Sequence, residues 1–558
     1  MRTSLIVLFT LLAPMASSQT ADFVVVNARV YTVDEAQPHA EAFAVHDGRF
    51  VMVGEVDAVR AAFPAARVID AGNRAVIPGL IDAHAHLMGL GTSLMQADLV
   101  GTQSKSEIVA RLQAFERDLP EEAWLTGRGW DQNEWPEREF PSAADLDVAF
   151  PDRPIWLRRI DGHAAWANTA ALRAAGLDPN AEAPADPSGG AVLRAADGTP
   201  TGVFIDAAMQ LVAGAVPTLS PEEMREALRR ALAETGRYGL TGIHEAGMSL
   251  DVFDLYQEAI AAGTFTIRNH AMVSPGSMLD YVCENGVVSS DDTLGLGGRL
   301  AVRALKLYAD GALGSRGAAL LDDYHDDPGN RGLLIQSPEA YAAIVNRAMG
   351  CGLQVNTHAI GDRGARLVLD AYQDAFEAIP GASGGRHRME HAQVVSLDDI
   401  PRFAELGVIA SVQPTHATSD MPWAEDRVGP DRIRGAYAWR RLLDAGARLA
   451  LGSDFPVERV NPLLGFHAAV SRQDTTGYPP GGWYPDQALT REEALRGFTL
   501  DAAYAAFQED QLGSIQVGKR ADFVILSDDI MSVPVDDILN THVVATYLDG
   551  ERLYEASE

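Results

Sequence analysis

Pro78-Gly79-Leu80-Ile81-Asp82-Ala83-His84-Ala85-His86-Leu87 reads as an apolar strand that runs straight into two histidines spaced i, i+2. Side chains two apart on a strand share a face, so His84 and His86 can aim at one metal ion from the end of a single strand. A bare His-x-His spacing arises often by chance in a long chain. Its weight here comes from the residues that could complete such a site, each at the end of another predicted strand.

Working outward, apolar runs at 75–81, 240–244, 266–273, 300–308, 353–358, 387–391, 408–412 and 448–451 alternate with helical patterns. That alternation is the signature of parallel βα units, and eight of them close a (β/α)8 TIM barrel. A helix is predicted over 221–238, with Ser220 as its N-cap and an early acidic pair, and another over 362–379 with apolar residues at helical spacing. From His86 to Leu240 the chain is far too long for one crossover. An insertion after barrel strand 1 is therefore expected at about 100–225, and it carries five of the eight tryptophans.

Both ends of the chain have a different texture. Phe23-Val24-Val25-Val26 and Phe43-Ala44-Val45 near one end, and 520–526 and 543–548 near the other, are short β runs around turns such as Asp47-Gly48 and Asp549-Gly550. They predict a small β-sandwich domain built from both termini, 19–77 with 490–558, flanking a barrel at 78–489. Arg2, the apolar run 5–13 and the small residues Ala16-Ser17-Ser18 read as a secretory signal over 1–18, which predicts a periplasmic or secreted protein. The run is too short to span a bilayer, so no stable membrane insertion is expected after cleavage.

Of the 558 residues, 45 are Lys or Arg and 77 are Asp or Glu, a formal charge of −32. Such a chain repels phosphate backbones and anionic membranes, so nucleic acid is excluded as a partner and a small-molecule substrate is expected; a homodimer is left open. The two cysteines, Cys283 and Cys351, lie in different segments and are compatible with buried thiols or a lone disulfide. Sequence does not choose between them, and the thiol reading is the safer one.

In a barrel of this kind chemistry sits at the C-terminal ends of the strands. Those ends present His84 and His86, then Lys306, His358, His391 and Asp454. Singly, each has an ordinary structural role: a solvated lysine, hydrogen-bonded core histidines, a turn aspartate. Together they are four imidazoles, a carboxylate and a lysine converging on one mouth. Imidazole and carboxylate without thiolate suit a divalent ion of borderline softness, zinc first.

The segments 78–86, 306–316, Thr357-His358-Ala359-Ile360-Gly361-Asp362-Arg363, Met389-Glu390-His391-Ala392-Gln393 and Gly452-Ser453-Asp454-Phe455-Pro456 resemble the amidohydrolase superfamily. More narrowly they resemble its YtcJ-like branch, which includes N-substituted formamide deformylases. The stretches 129–136 and 161–166 in the insertion, and 517–523 near the C-terminus, agree with that branch. The resemblance implies two divalent metal ions, with His84, His86, Lys306 and Asp454 on one and Lys306, His358 and His391 on the other. It also implies that Lys306 reacts with carbon dioxide to give a bridging carbamate, and that Asp454 moves the proton of an activated water during hydrolysis of a non-peptide C–N bond in a small N-acyl or N-formyl compound.

Trp130, Asp131, His163, Arg316 and His416 sit in family-like motifs beside the expected mouth. For Trp130, packing inside the insertion competes with a pocket role; Arg316 could grip a substrate carboxylate or pair with Asp310. His416, after the seventh strand, is the best non-ligand candidate for touching substrate or a developing oxyanion. Two other functions compete. A cyclic amidine deaminase of the same superfamily wants an acid in a His-x-x-Glu pattern, but here Asp362 comes one place too late after His358. A non-catalytic binding protein on the same barrel is expected where ligands are lost, and none of the six is missing.

Overall fold

The chain crosses from one sheet to another at Gly79. The single strand expected over 75–81 is two strands: Ala75–Pro78 pairs with Arg29–Tyr31 and Phe523–Leu526 in a small sheet, and Leu80–Ala85 begins the barrel. A Cβ on Gly79 would stand 2.2 Å from Thr241 Oγ1 on the neighbouring barrel strand, so only glycine fits the crossing. The computed structural model describes residues 20–120, 123–287 and 296–557, and the expected secretory signal at 1–18 lies outside the described residues.

Eight parallel strands follow in chain order, each hydrogen-bonded to the next: Leu80–Ala85, Leu240–Met248, Arg268–Val273, Leu300–Tyr308, Gln354–Ala359, Arg388–His391, Ile409–Val412 and Leu449–Leu451. The loop after the eighth strand closes the seam to the first. Asp454 N donates to His84 O at 2.8 Å, and Ser453 N donates to Asp82 Oδ1 at 3.0 Å. The fold is thus α/β, an eight-stranded parallel near-barrel of the TIM type, as the alternation of apolar runs and helices predicts.

The surrounding helices follow from local sequence. Pro221–Arg237 starts at Ser220, which forms a reciprocal capping box with Glu223, and buries Ala227, Leu228, Ala231 and Leu232 along one face. Helix Leu87–Ser93, directly after His86, lies so close to it that a Cβ on Gly91 would meet Ala227 O at 2.1 Å. Asp362–Ala378 buries Ala365, Val368, Leu369, Tyr372 and Ala375, the helical spacing read from the sequence.

Strands from both ends of the chain share one six-stranded sheet, in which Ala75–Pro78 lies between Arg29–Tyr31 and Phe523–Leu526. A four-stranded sheet containing Phe23–Val26 and Ala42–His46 packs against it through Phe43 and Phe523, whose rings are 5.0 Å apart, and Phe523 stacks on Tyr547 at 4.3 Å. Between the first and second barrel strands, a separate six-stranded mixed sheet includes Ala97–Asp98, Leu125–Trp130, Ile155–Arg159 and Pro200–Asp206. It has an apolar cluster on each face.

Cys283 and Cys351 form a disulfide with Cα atoms 5.2 Å apart, which corrects the thiol expectation. The reason is the barrel itself. Cys283 lies in helix Ser277–Asn285 and Cys351 caps helix Pro338–Gly350, helices that follow consecutive strands and become neighbours in the outer ring. Among the described residues no helix is long and apolar enough to cross a membrane.

Candidate metal centre

The first barrel strand is buried at every position, and its end is fixed from two sides. Asp82 accepts from Ser453 Oγ at 2.6 Å and from His84 N at 3.1 Å, so one carboxylate ties the first strand to the loop carrying Asp454. Burial pushes the Asp82 carboxyl up to about 7 against these hydrogen bonds. His84 donates through Nδ1 to Glu390 Oε2 at 2.5 Å, which leaves Nε2 facing the mouth. His391 Nδ1 lies 2.8 Å from Gln413 Oε1, an arrangement with the same effect.

Charge states follow from burial and partners. Burial, then the nearby Lys306 cation, holds His84 down at about 4, so its ring is neutral and Nε2 carries a lone pair, which Lys306 Nζ approaches to 3.1 Å. His358 and His391 are held well below the ordinary histidine value, first by burial and then by other cationic or imidazole neighbours. Burial works against ionisation of Glu390, but Arg388, 2.7 Å from Oε1, and His84 pull it down to about 2. The Glu390–His84 contact is therefore a carboxylate accepting from a neutral imidazole rather than an ion pair. Asp454 is likewise opposed by burial, yet His84, His86 and His391 hold it well below the usual carboxylate range.

These residues meet in two overlapping groups, His84 with His86 and Asp454, and His391 with His416 and Asp454, in each of which the potential ligand atoms lie within 4.8 Å of one another. Asp454 belongs to both. His86 Nε2 stands 3.2 Å from Asp454 Oδ1, and Asp454 Oδ1 and His416 Nε2 are buried with no well-formed hydrogen bond. Imidazoles around an anionic carboxylate, with Asp454 Oδ1 and His416 Nε2 left unsatisfied, fit a divalent cation; these His and Asp groups could bind metal. Asp454 and His391 both have a positive φ, 63° and 74°, a strained conformation for a side chain that is retained where the surroundings enforce it.

The other sequence-selected residues divide into those at the mouth and those away from it. Lys306 is buried, with Nζ 3.1 Å from His84 Nε2 and 4.7 Å above the Tyr308 ring. His358 lies 4.5 Å, ring to ring, from His391, but its Nε2 is directed at Gly311 O, 3.2 Å away, so His416 rather than His358 joins the second group. His163 reaches down from the insertion to within 5.0 Å of the His358 ring and is held by Asp206 at 2.6 Å. Burial opposes charge on His163, and Asp206 outweighs it, raising the imidazole above its ordinary value.

Trp130, Asp131 and Arg316 lie elsewhere. Trp130 is fully buried among Trp135 and Trp166 in the insertion core and donates its Nε1–H to Leu157 O at 2.9 Å. Asp131 pairs with the buried Arg159. Arg316 pairs with Asp326 at 2.9 Å and not with Asp310, whose carboxylate instead accepts from the backbone of Ala319, Ile360 and Gly361. Arg316 lines a cavity of about 280 Å³ with Trp423 and Arg427, and none of the candidate ligands borders it.

Residues not singled out from sequence complete the centre. Arg388 and Glu390 are two apart on one strand, and that spacing beside His391 was the available signal. Strand alternation would send Glu390 and His391 to opposite faces, but the positive φ at His391 turns the chain so that both reach His84. Asp362, the acid considered for a deaminase, accepts from Leu321 N at 2.8 Å and is committed to a loop.

Residues 67–554 match the sequence profile of the amidohydrolase family. The chain belongs to that family. This amidohydrolase is 34% identical over 535 residues to the Bacillus subtilis protein YtcJ, covering 95% of this chain and 98% of the relative. It is 30% identical over 558 residues to the N-substituted formamide deformylase of Arthrobacter pascens, covering 96% and 99% of the two chains. Among solved structures it resembles an uncharacterized metal-dependent hydrolase of Pyrococcus horikoshii, with a TM-score of 0.74 and 26% identity over 92% of this chain and 99% of that one. The amidohydrolase thus sits among hydrolases that act on C–N bonds.

Proposed function

We propose that this amidohydrolase is an exported, metal-dependent enzyme that hydrolyses a non-peptide C–N bond in a small N-acyl or N-formyl compound. One observation carries the reading: four histidines from different parts of the rim, His84, His86, His391 and His416, surround a single buried carboxylate, Asp454, that belongs to two ligand groups at once. Export is supported by the Cys283–Cys351 disulfide, a bond that persists in oxidising compartments. The similarity to the N-substituted formamide deformylase of Arthrobacter pascens supports the substrate class.

Zinc suits the donors, and one or two ions held by His84, His86, His391, His416 and Asp454, with His358 at the margin, would supply an acidified water and a polarised carbonyl when bound. The 3.1 Å approach of Lys306 Nζ to His84 Nε2 supports a carbamate on Lys306, formed with carbon dioxide, as a further oxygen donor. The side chains divide the remaining work. Asp454, ionised by the imidazoles around it, accepts the proton of the attacking water and returns it to the leaving nitrogen. Glu390 holds His84 in one tautomer, and Gln413 orients His391. His416, stacked on His391 with ring centres 5.8 Å apart, completes the second ligand group in this reading and is not assigned as an oxyanion donor.

The test is a hydrolysis screen of N-formyl, N-acetyl, acyl-amino-acid, cyclic amide and ester compounds with zinc and bicarbonate, together with elemental analysis of the purified protein. Lys306→Ala and Asp454→Asn should each lower turnover by at least about 100-fold, the first with loss of metal and the second with metal kept at saturating zinc, because the asparagine carbonyl oxygen can still ligate while it can no longer act as a base. Full activity in Asp454→Asn, or purified protein without stoichiometric metal, would overturn the reading.

A further inference from the structure

The insertion contributes more to the mouth than His163. Its strands Leu125–Trp130 and Ile155–Arg159 are parallel neighbours, and their register sets Arg128 directly beside Arg158. Side chains paired in this way share a face, so two guanidiniums project together from the end of the sheet. Each is steadied by one backbone carbonyl: Arg128 Nη2 donates to Ile160 O at 2.7 Å, and Arg158 Nη2 donates to Gly162 O at 3.0 Å. Both converge on the same turn, since a Cβ on Gly162 would lie 3.3 Å from Arg158 Nη2 and 3.5 Å from Arg128 Nη1.

Neither arginine has a carboxylate within ion-pairing distance among the described residues, and Arg128 Nε is buried without a hydrogen-bond partner. Asp161, in the turn beside them, is paired with Arg159 at 2.5 Å. Two adjacent cations without a directly paired carboxylate are unusual in a protein that carries a net charge of −32. Burial, and then Arg158 beside it, presses the Arg128 guanidinium down to about 9, so the repulsion between the two guanidiniums is only partly offset by the Asp454 and Asp161 carboxylates. A bound anion would relieve that repulsion.

The pair lies beside the reaction centre: both guanidiniums converge on Gly162, the residue before His163, whose ring is 5.0 Å from that of His358. Arg128 acts electrostatically on Asp454 and His86, and Arg158 acts on Tyr308, whose ring is 5.4 Å from His358. Arg158 keeps water-accessible surface although protein surrounds it, as befits a side chain that lines a cleft. A planar, always-charged fork matches a carboxylate better than any other common organic anion of that size, and two forks side by side can take both of its oxygens.

We infer that Arg128 and Arg158 form a carboxylate-binding subsite at the mouth of the barrel, so that the preferred substrates are amides bearing a carboxylate close to the scissile C–N bond, as in N-acyl or N-formyl amino acids. The inference rests on the hydrolase reading above and narrows its substrate class. It assigns these two side chains to substrate recognition rather than to bond breaking.

The matched pair N-formyl-leucine and N-formyl-isoamylamine, which differ only by the carboxylate, tests it on the metal-loaded enzyme. The carboxylate compound should be preferred in kcat/KM by about 10–100-fold, with most of the difference in KM. Arg128→Gln and Arg158→Gln should each bring that ratio toward one, and Arg158→Lys should restore part of it. Calorimetry on metal-loaded Asp454→Asn should show tighter binding of N-formyl-leucine than of the neutral amide, and the added Arg158→Gln change should abolish the difference. A ratio near one in the wild type, or a ratio unaffected by both arginine changes, overturns the subsite and leaves the hydrolase reading intact. So does an equal fall in kcat for both compounds at unchanged KM, which would place the arginines on the reacting atoms. Hydrolysis of neither compound counts against the formamide part of the hydrolase reading, and the calorimetric comparison then decides the subsite alone. Should Arg128→Gln fail to fold, Arg158, the more exposed of the two, carries the test.

Discussion

Glu390 and Glu245 are both buried carboxylates in strands of the same barrel, and the barrel gives them opposite charge states. Burial raises both. Glu390 meets Arg388 at 2.7 Å and the His84 imidazole, and these pull it down to about 2. Glu245 meets only neutral donors, Tyr256 Oη at 3.1 Å and Leu87 N at 3.1 Å among them, and burial prevails, leaving it at about 7. Desolvation is common to both sites; the arginine is what differs. The first carboxylate can therefore serve as a fixed anion that orients a ligand histidine, whereas the second holds the backbone next to His86 as a group on the edge of protonation.

Three changes test this contrast, the largest first. Arg388→Met removes the cation that also bonds His244, Ser411 and the Ala83 carbonyl, and strands Glu390 as a buried charge; chemical denaturation should show a loss of about 3–5 kcal/mol. A loss below about 1 kcal/mol would mean that Glu390 simply takes up a proton, which would erase the contrast with Glu245. Glu390→Gln keeps the shape but no longer accepts with a full charge, and titration against a chelator should show metal affinity reduced about 10–100-fold with the fold retained. Unchanged affinity would remove Glu390 from any role in setting His84.

The third change concerns Glu245, whose folded value of about 7 lies above its unfolded value near 4.5. Between those values the folded state holds a proton that the unfolded state has released, so stability falls as pH rises across that window, by on the order of 3 kcal/mol. Glu245→Gln should remove this fall. Allowing about 1–2 kcal/mol for hydrogen bonds made less well, the variant should be about 1–2 kcal/mol more stable than the parent at pH 8, with no such gain at pH 4. Parallel stability curves for the two proteins would assign the titration to other groups.

The barrel was legible because its period is written twice, in apolar runs that recur at βα spacing and in helices with one apolar face. Strand ends then located His84, His86, Lys306, His391 and Asp454, since a parallel barrel directs those ends to one rim. The boundary of the first strand was not legible: residues 75–81 are apolar throughout except for Gly79, and a change of sheet leaves no mark beyond that glycine. The roles of Glu390 and Gln413 were hidden because each works through a histidine on another strand. Arg128 and Arg158 were hidden because nothing local reveals how the insertion sheet sits over the mouth. Trp130 shows the reverse problem, where a motif beside the expected mouth proved to supply packing for the insertion core.

The disulfide has a topological corollary. Cys283 and Cys351 close a covalent ring, and the strand that carries Lys306 lies wholly inside it. A protease that cut the chain once within this ring would leave both halves tethered, so the nicked molecule would run as one band without reductant and as two with it. A lysine central to the proposed chemistry would thereby stay anchored beside its histidines after a break that would otherwise divide the barrel.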